Sequence, residues 1–244
     1  MIIIDKWTGR LGNNLLQLEY AIMLCMFLKC KITFHCNNHP YLDVNIIKDY
    51  FSEHPDIGRE IITYYGGIPK GVIPSDRLEE LKHNTYALLK KGFKIKDIKQ
   101  IYDETVLVIH IRSGDIMSSN PHPGYVPLPL YYYKHIIDSA SYKKIILVCE
   151  DKKNPVVDKL LTLYPNCQHT IQSLDEDIKI ILGATNIVCG VGTFVTQLTK
   201  LANHKQLIIK PSLEKEMSEY YIKNRPWKHT EEQRKLIVDY TFHV

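Results

Sequence analysis

From residue 105 to residue 209, apolar runs of strand length alternate with stretches of helical spacing, and that alternation limits what the chain can become. Thr105-Val106-Leu107-Val108-Ile109-His110-Ile111 carries apolar side chains at successive positions, as a strand covered on both faces does. Residues 144–149, 186–189 and 206–209 follow the same rule. Between them the spacing predicts helices over 131–140, 155–164, 175–183 and 194–202. Parallel neighbours need such crossovers, so the expectation is an α/β fold with a doubly wound parallel sheet.

The first part of the chain repeats the theme once. Ile2-Ile3-Ile4 reads as a buried strand, Thr8-Gly9-Arg10-Leu11-Gly12 as a tight loop, 13–28 as a helix and 31–36 as a second strand. This is the start of a βαβ unit with its loop at the carboxyl end of the strand. Residues 37–74 read as irregular, and a helix over 75–91 is expected to be capped by Ser75 and ended by Gly92. The expected domains are 1–100, 101–212 and a helical tail, 213–244, whose Trp227 and tyrosines pack back on the first domain.

At 244 residues, with 45% hydrophobic and 24% charged residues, the composition is that of a globular enzyme. A formal charge of +4 is too mild for a dedicated nucleic-acid binder. The lysines at 82, 90, 91, 94, 96 and 99 read as a solvated helix face and linker, and an RNA-binding reading of 77–99 lacks interleaved aromatic residues. No run reaches the roughly 20 apolar residues of a membrane helix, and no leader pattern opens the chain, so a soluble, cytoplasmic protein is expected. The six cysteines form no C-x-x-C pair, which points to free thiols rather than zinc.

Three places combine special backbone needs with polar side chains at the carboxyl ends of expected strands. Gly9-Arg10-Leu11-Gly12-Asn13-Asn14 sets an arginine between two glycines at a helix start; a plain turn with a surface arginine has the same pattern. In His110-Ile111-Arg112-Ser113-Gly114-Asp115, His110 and Arg112 leave the strand on one face. Arg112 suits anion binding; the structural alternative pairs it with Asp115 to hold the turn. Gly190-Val191-Gly192-Thr193-Phe194 opens a helix directly after a strand and has the parts of a phosphate cradle. It is not a G-x-G-x-x-G fingerprint and no Walker lysine follows, which leaves dinucleotide oxidoreductases and P-loop ATPases unsupported.

These residues resemble a known family. Gly9-Arg10-Leu11-Gly12-Asn13-Asn14 is similar to the G-R-[LF]-G-N-Q opening of the alpha-1,2-fucosyltransferases and protein O-fucosyltransferases, and His110–Asp115 to their H-x-R-x-G-D motif. Pro127-Leu128-Pro129-Leu130-Tyr131-Tyr132, Ser173-Leu174-Asp175 and Gly192-Thr193-Phe194 resemble further elements of that family, in order, over about residues 9–203. The resemblance implies a GT-B type glycosyltransferase, with two Rossmann-like domains facing a cleft. It implies that Arg112 holds the donor's diphosphate, with Gly192, Thr193 and Phe194 around it. His110 and Asp175 would then lie near the nucleoside, and Arg10 and Asn13 would face the reacting sugar. Gly192 stands where the family has a hydroxyl residue and Asn14 where it has glutamine. The donor therefore stays open between GDP-fucose, the family default, and a UDP-sugar such as UDP-xylose.

The expected reaction is metal-independent and inverting, moving the sugar to a hydroxyl of an oligosaccharide or glycan acceptor, with no cofactor. A guanidinium and backbone amides take the charge of the departing diphosphate. Asp115 and Glu150-Asp151 are the candidates for taking the acceptor proton. Asp175-Glu176-Asp177 matches the D-x-D of metal-dependent transferases, but at a helix start acidic residues favour the dipole and cap free N–H groups. The competing reading from another class is a non-catalytic module that binds a glycan or a nucleotide without turnover.

Overall fold

The computed structural model describes residues 1–36, 38–56, 58, 60–61, 67–68, 72–98, 100–204, 206–209 and 215–241, the side chains of 60, 61, 215 and 216 excepted. Lys99 and parts of the 37–74 region and of the 213–244 tail lie outside the described residues. The chain forms two compact units, Met1–Asp97 with Thr196–Leu201, and Ile98–Val195 with Ala202–Val244.

The first unit contains β1 (Ile2–Ile4), α1 (Leu11–Leu28), β2 (Ile32–Phe34), α2 (Val44–Tyr50), β3 (Glu60–Ile61) and α3 (Ser75–Gly92). Its strands are parallel in the order β2-β1-β3, with Ile3 opposite Thr33 and Ile61. Leu15, Leu18, Ile22, Leu24 and Cys25 of α1 are buried. By length and mean hydropathy α1 is apolar enough to cross a membrane, yet 67% of it is buried inside the protein, as in a core helix.

Two features of this unit differ from the sequence reading. Ser75 is already helical and Pro74 holds the N-cap without a side-chain bond, while Gly92 is the last helical residue. A Cβ on Gly92 would meet Ile47 Cδ1 at 3.1 Å and Asp43 O at 3.3 Å, so its smallness serves the packing of α3 against α2. Helix α2 lies inside the stretch read as irregular. Asp43 caps it by accepting from Asn45 N at 3.1 Å, and with Ile47 as its one buried residue the helical period is faint.

Thr196–Leu201 was expected in the second domain and belongs to the first unit. Lys200 Nζ lies 2.7 Å from Glu19 Oε2, and Tyr86 Oη donates to Glu19 Oε1 at 2.9 Å. Glu19 is 5% exposed, and a buried carboxylate persists only with such partners. This triad fastens the segment to α1 and α3.

The second unit contains β4 (Val106–His110), α4 (Leu130–Asp138), β5 (Lys144–Val148), α5 (Pro155–Leu163), β6 (Cys167–His169), α6 (Leu174–Gly183), β7 (Asn186–Val188), the first residues of α7 (Phe194–Leu198), β8 (Leu207–Ile209), α8 (Lys215–Asn224) and α9 (Glu231–Asp239). Among the described residues its sheet has the order β6-β5-β4-β7-β8, parallel throughout, with Val108 opposite Ile146 and Ile187. The α/β class with parallel sheets is therefore observed. Edge strand β6 escaped the sequence reading because Cys167-Gln168-His169 carries no apolar run.

The chain order winds outward from β4 to β5 and β6, then returns to β4's other side for β7 and β8. The winding thus reverses between β4 and β7, and at such a reversal the carboxyl ends of the strands open a crevice.

The tail corrects an expectation. Tyr220, Trp227, Ile237 and Tyr240 share one core with Leu107, Tyr133, Leu147 and Val157 of the second unit, not with the first. Trp227 Nε1 donates to Ile116 O and Tyr220 Oη to Pro127 O, each at 2.7 Å. Their large apolar surfaces stabilise this placement by about 2–3 kcal/mol each.

Candidate functional site

At the end of β4 the chain turns through Ile111 to Asp115, and the turn is built to hold Arg112. Asn154, the buried N-cap of α5, donates from Nδ2 to Arg112 O at 2.9 Å while its Oδ1 accepts from Val156 N at 3.1 Å. Ser113 Oγ donates to Asp151 Oδ1 and accepts from Asn154 N at 3.1 Å. Burial pushes the Asp151 carboxyl up, but hydrogen bonds from Ser113, Lys153 and Gly114 outweigh it and leave the group below its ordinary range. Gly114 has φ of 57°, and a Cβ there would overlap the Glu150 carboxylate, so the turn admits little but glycine.

The Arg112 side chain is fixed on several sides. Its Nη2 donates to Asp115 Oδ2 at 2.9 Å and its Nε to Asp115 Oδ1 at 3.4 Å. The ion pair weighed as the structural alternative is thus present. The guanidinium carbon stands 4.3 Å from the centre of the Tyr125 ring. Across the β4–β7 junction, a Cβ on Gly192 would overlap Arg112 Nη1 and lie 3.4 Å from its Cζ. Gly192 adopts φ of 104°, a region costly for other residues.

The neighbouring position repeats the fit. A Cβ on Gly190 would lie 2.5 Å from His110 O and 2.8 Å from His110 Nδ1. The two glycines thus pack, two residues apart, against His110 at the end of β4 and Arg112 in the turn after it. His110 is buried, its Nδ1 has no hydrogen-bond partner among the described residues, and its ring lies 5.7 Å from that of Phe194. Burial, with Arg112 beside it, holds its pKa down to about 4, so the imidazole is neutral at physiological pH.

Arg112, Asp115, His110, Gly192 and Phe194 are thus brought together at the β4–β7 junction, and Thr193 lies between the last two in the chain. Asp175 is exposed in the first turn of α6, where Ser173 caps the helix by accepting from Glu176 N at 3.3 Å. In the same turn Asp177 Oδ1 accepts from Gln172 Nε2 at 2.9 Å, so the D-x-D residues serve a helix start.

Arg10 and Asn13 belong to the first unit, at the carboxyl end of its middle strand. Arg10 is the exposed N-cap of α1, and Gly9, at φ of 75°, lies where a Cβ would overlap Asn13 Nδ2. Two buried amides hold the loop. Asn14 Nδ2 and Gln17 Nε2 donate to Thr8 O and Lys6 O, each at 3.0 Å, and His39 Nε2 sits 3.1 Å from Asn14 Oδ1. Asn14, a departure from the pattern the sequence resembles, therefore shapes the loop.

The sequence reading missed Tyr125 and Asn154. Asn154-Pro155 carries a cap-then-proline signal of a helix start. Tyr125 carries no local signal.

No family model matches the chain, and no curated protein matches it in sequence. Solved structures similar in fold include POFUT1 in complex with GDP, at 12% identity over 86% of this chain and 97% of that one, with a TM-score of 0.49. The NodZ alpha-1,6-fucosyltransferase soaked with GDP-fucose is similar at 11% identity over 82% and 92%, with a TM-score of 0.44. The E. coli ADP-heptose LPS heptosyltransferase II is similar at 12% identity over 88% and 86%, with a TM-score of 0.39. Each is a likeness with a TM-score under 0.5, and what this chain does has to come from its own residues.

Proposed function

We propose that this chain is a glycosyltransferase of the GT-B type that takes a sugar from a nucleoside diphosphate and passes it to a glycan hydroxyl, without a metal ion and with inversion. One observation carries the reading: Arg112 is held against Gly192 at the junction where the winding of the sheet reverses. An oriented guanidinium beside a glycine turn, at the ligand edge of a parallel sheet, suits a diphosphate.

In the proposed reaction the acceptor oxygen attacks the anomeric carbon from the face opposite the phosphate. The glycosyl–oxygen bond breaks, its electron pair leaves with the diphosphate, and the proton of the acceptor hydroxyl passes to solvent water. Arg112 binds that charge more strongly as it grows, the condition for lowering the barrier. Asp115 is bonded to Arg112, and Asp151 to Ser113 and Lys153. We assign both carboxylates to holding the turn rather than to proton abstraction. GDP-fucose is the first donor to test and a UDP-sugar such as UDP-xylose the second.

The engagement of Asp115 and Asp151 also favours a second reading, a module that binds the nucleotide or a glycan without turnover. Release of GDP or UDP from the two donors, followed in EDTA for wild type and Arg112→Ala, separates them. Turnover that disappears in the variant supports the transferase. Nucleotide binding without turnover across an acceptor panel supports the module, and activity that returns only with manganese contradicts the metal-free mechanism.

A further inference from the structure

The Arg112 guanidinium has Asp115 along one edge and Gly192 against Nη1, and its Cζ stands over the Tyr125 ring, 4.3 Å from the ring centre. Tyr125 sits in a loop between the turn after β4 and α4, half-buried against the core. Its N donates to His122 O at 3.1 Å, and its ring is 4.7 Å from that of His122. The tail fastens this loop on both sides: Trp227 N donates to Pro123 O at 3.0 Å and Tyr220 Oη to Pro127 O at 2.7 Å. Through Nε1, Trp227 also holds Ile116 O, the residue after Asp115. Trp227, through its backbone N–H and its buried indole, therefore ties down two of the segments that touch the guanidinium.

We infer that Tyr125 is a positioning residue for phosphate binding, acting through Arg112; this rests on the reading of Arg112 as the diphosphate ligand. The N–H donors of a guanidinium lie in its plane and its faces are weakly hydrated. A ring against one face fixes the plane without using a donor, so the in-plane N–H groups stay aimed at incoming oxygens. A long side chain loses rotamer freedom when it grips a ligand, and stacking removes that loss beforehand.

The test measures affinity for inorganic pyrophosphate by calorimetry, and the Arg112 Nε–Hε signal by NMR, in wild type, Tyr125→Phe, Tyr125→Leu and Arg112→Ala. Melting temperatures identify any variant that is damaged in folding. Tyr125→Phe keeps the ring and is expected to bind within about twofold of wild type and to retain the ring-shifted Arg112 signal. Tyr125→Leu keeps apolar bulk without the π face and is expected to bind between about threefold and thirtyfold more weakly, with that signal displaced. In an Arg112→Ala background, Tyr125→Leu is expected to add no further loss. A further loss of similar size there, or a Tyr125→Phe variant as weak as Tyr125→Leu, overturns the inference. Pyrophosphate binding unchanged by Arg112→Ala overturns the phosphate reading of Arg112 itself. The Nε–Hε signal still reports whether the stack exists, so the two failures are told apart.

Discussion

Gly192 leaves room for the guanidinium of Arg112: a Cβ at that position would overlap Nη1. Two residues earlier, Gly190 bears the same relation to His110, though there the closest atom is the backbone oxygen, at 2.5 Å. A side-chain tip yields where a central strand does not, so the two glycines fail differently when replaced.

Gly192→Ala is expected to weaken GDP or UDP binding at least tenfold, since the new methyl displaces Nη1 from a position that Asp115 and Tyr125 hold. The backbone at φ of 104° adds a stability loss of about 1–3 kcal/mol. Calorimetric titration beside a urea melt reads both, and wild-type affinity in a folded variant would contradict the fit.

Gly190→Ala is expected to act on the fold. Its Cβ meets a backbone carbonyl at the end of β4, and overpacking of this kind costs about 1–3 kcal/mol. A urea midpoint equal to wild type would show that the two strands separate more easily than the contacts allow.

Trp227→Ala is expected to cost about 3–5 kcal/mol through the cavity it leaves. Trp227→Phe keeps most of the volume but strips Ile116 O of its donor, for about 1–3 kcal/mol. Chemical denaturation measures both, and neutral effects would contradict the placement of the tail in the second unit's core.

Stability is expected to fall on acidification. The folded pKa of His110 is about 4 against an ordinary 6.5, because burial and then Arg112 disfavour the imidazolium. The unfolded chain therefore takes up a proton near pH 6.5 that the folded protein refuses until about 4. The contribution is complete above pH 6.5 and shrinks through that window, by up to about 1.4 kcal/mol per pH unit. His39, also at about 4 through burial and Lys94, acts in the same direction. Urea melts at pH 7 and pH 5 should show a flatter dependence in His110→Asn, and an unchanged slope would contradict a neutral buried His110.

The parts of the site that were legible in the sequence depend on local chain geometry. The apolar run into His110 announced a central strand, its two-residue period put Arg112 on the same face as His110, and the glycines at 190 and 192 marked close approach after another strand. What stayed hidden depends on distant partners. Glu19 and Lys200 are 181 residues apart and each resembles an ordinary surface charge, so nothing local assigns Thr196–Leu201 to the first unit. The tail helices are mostly polar, with Ile237 the one buried residue described for α9, and a weak apolar stripe does not name the core it joins. Tyr125 meets Arg112 through a loop without a period, held by the tail.

The central claim is that Arg112, set against Gly192, grips a diphosphate without help from a metal. Calorimetric titration of GDP and UDP in EDTA, into wild type and Arg112→Ala, tests it most directly. At least one nucleotide is expected to bind wild type, and to bind the variant about ten- to a hundredfold more weakly, the value of a charged hydrogen bond of about 1.5–3 kcal/mol. Equal affinity in the two proteins, or binding only after a divalent ion is restored, would contradict it.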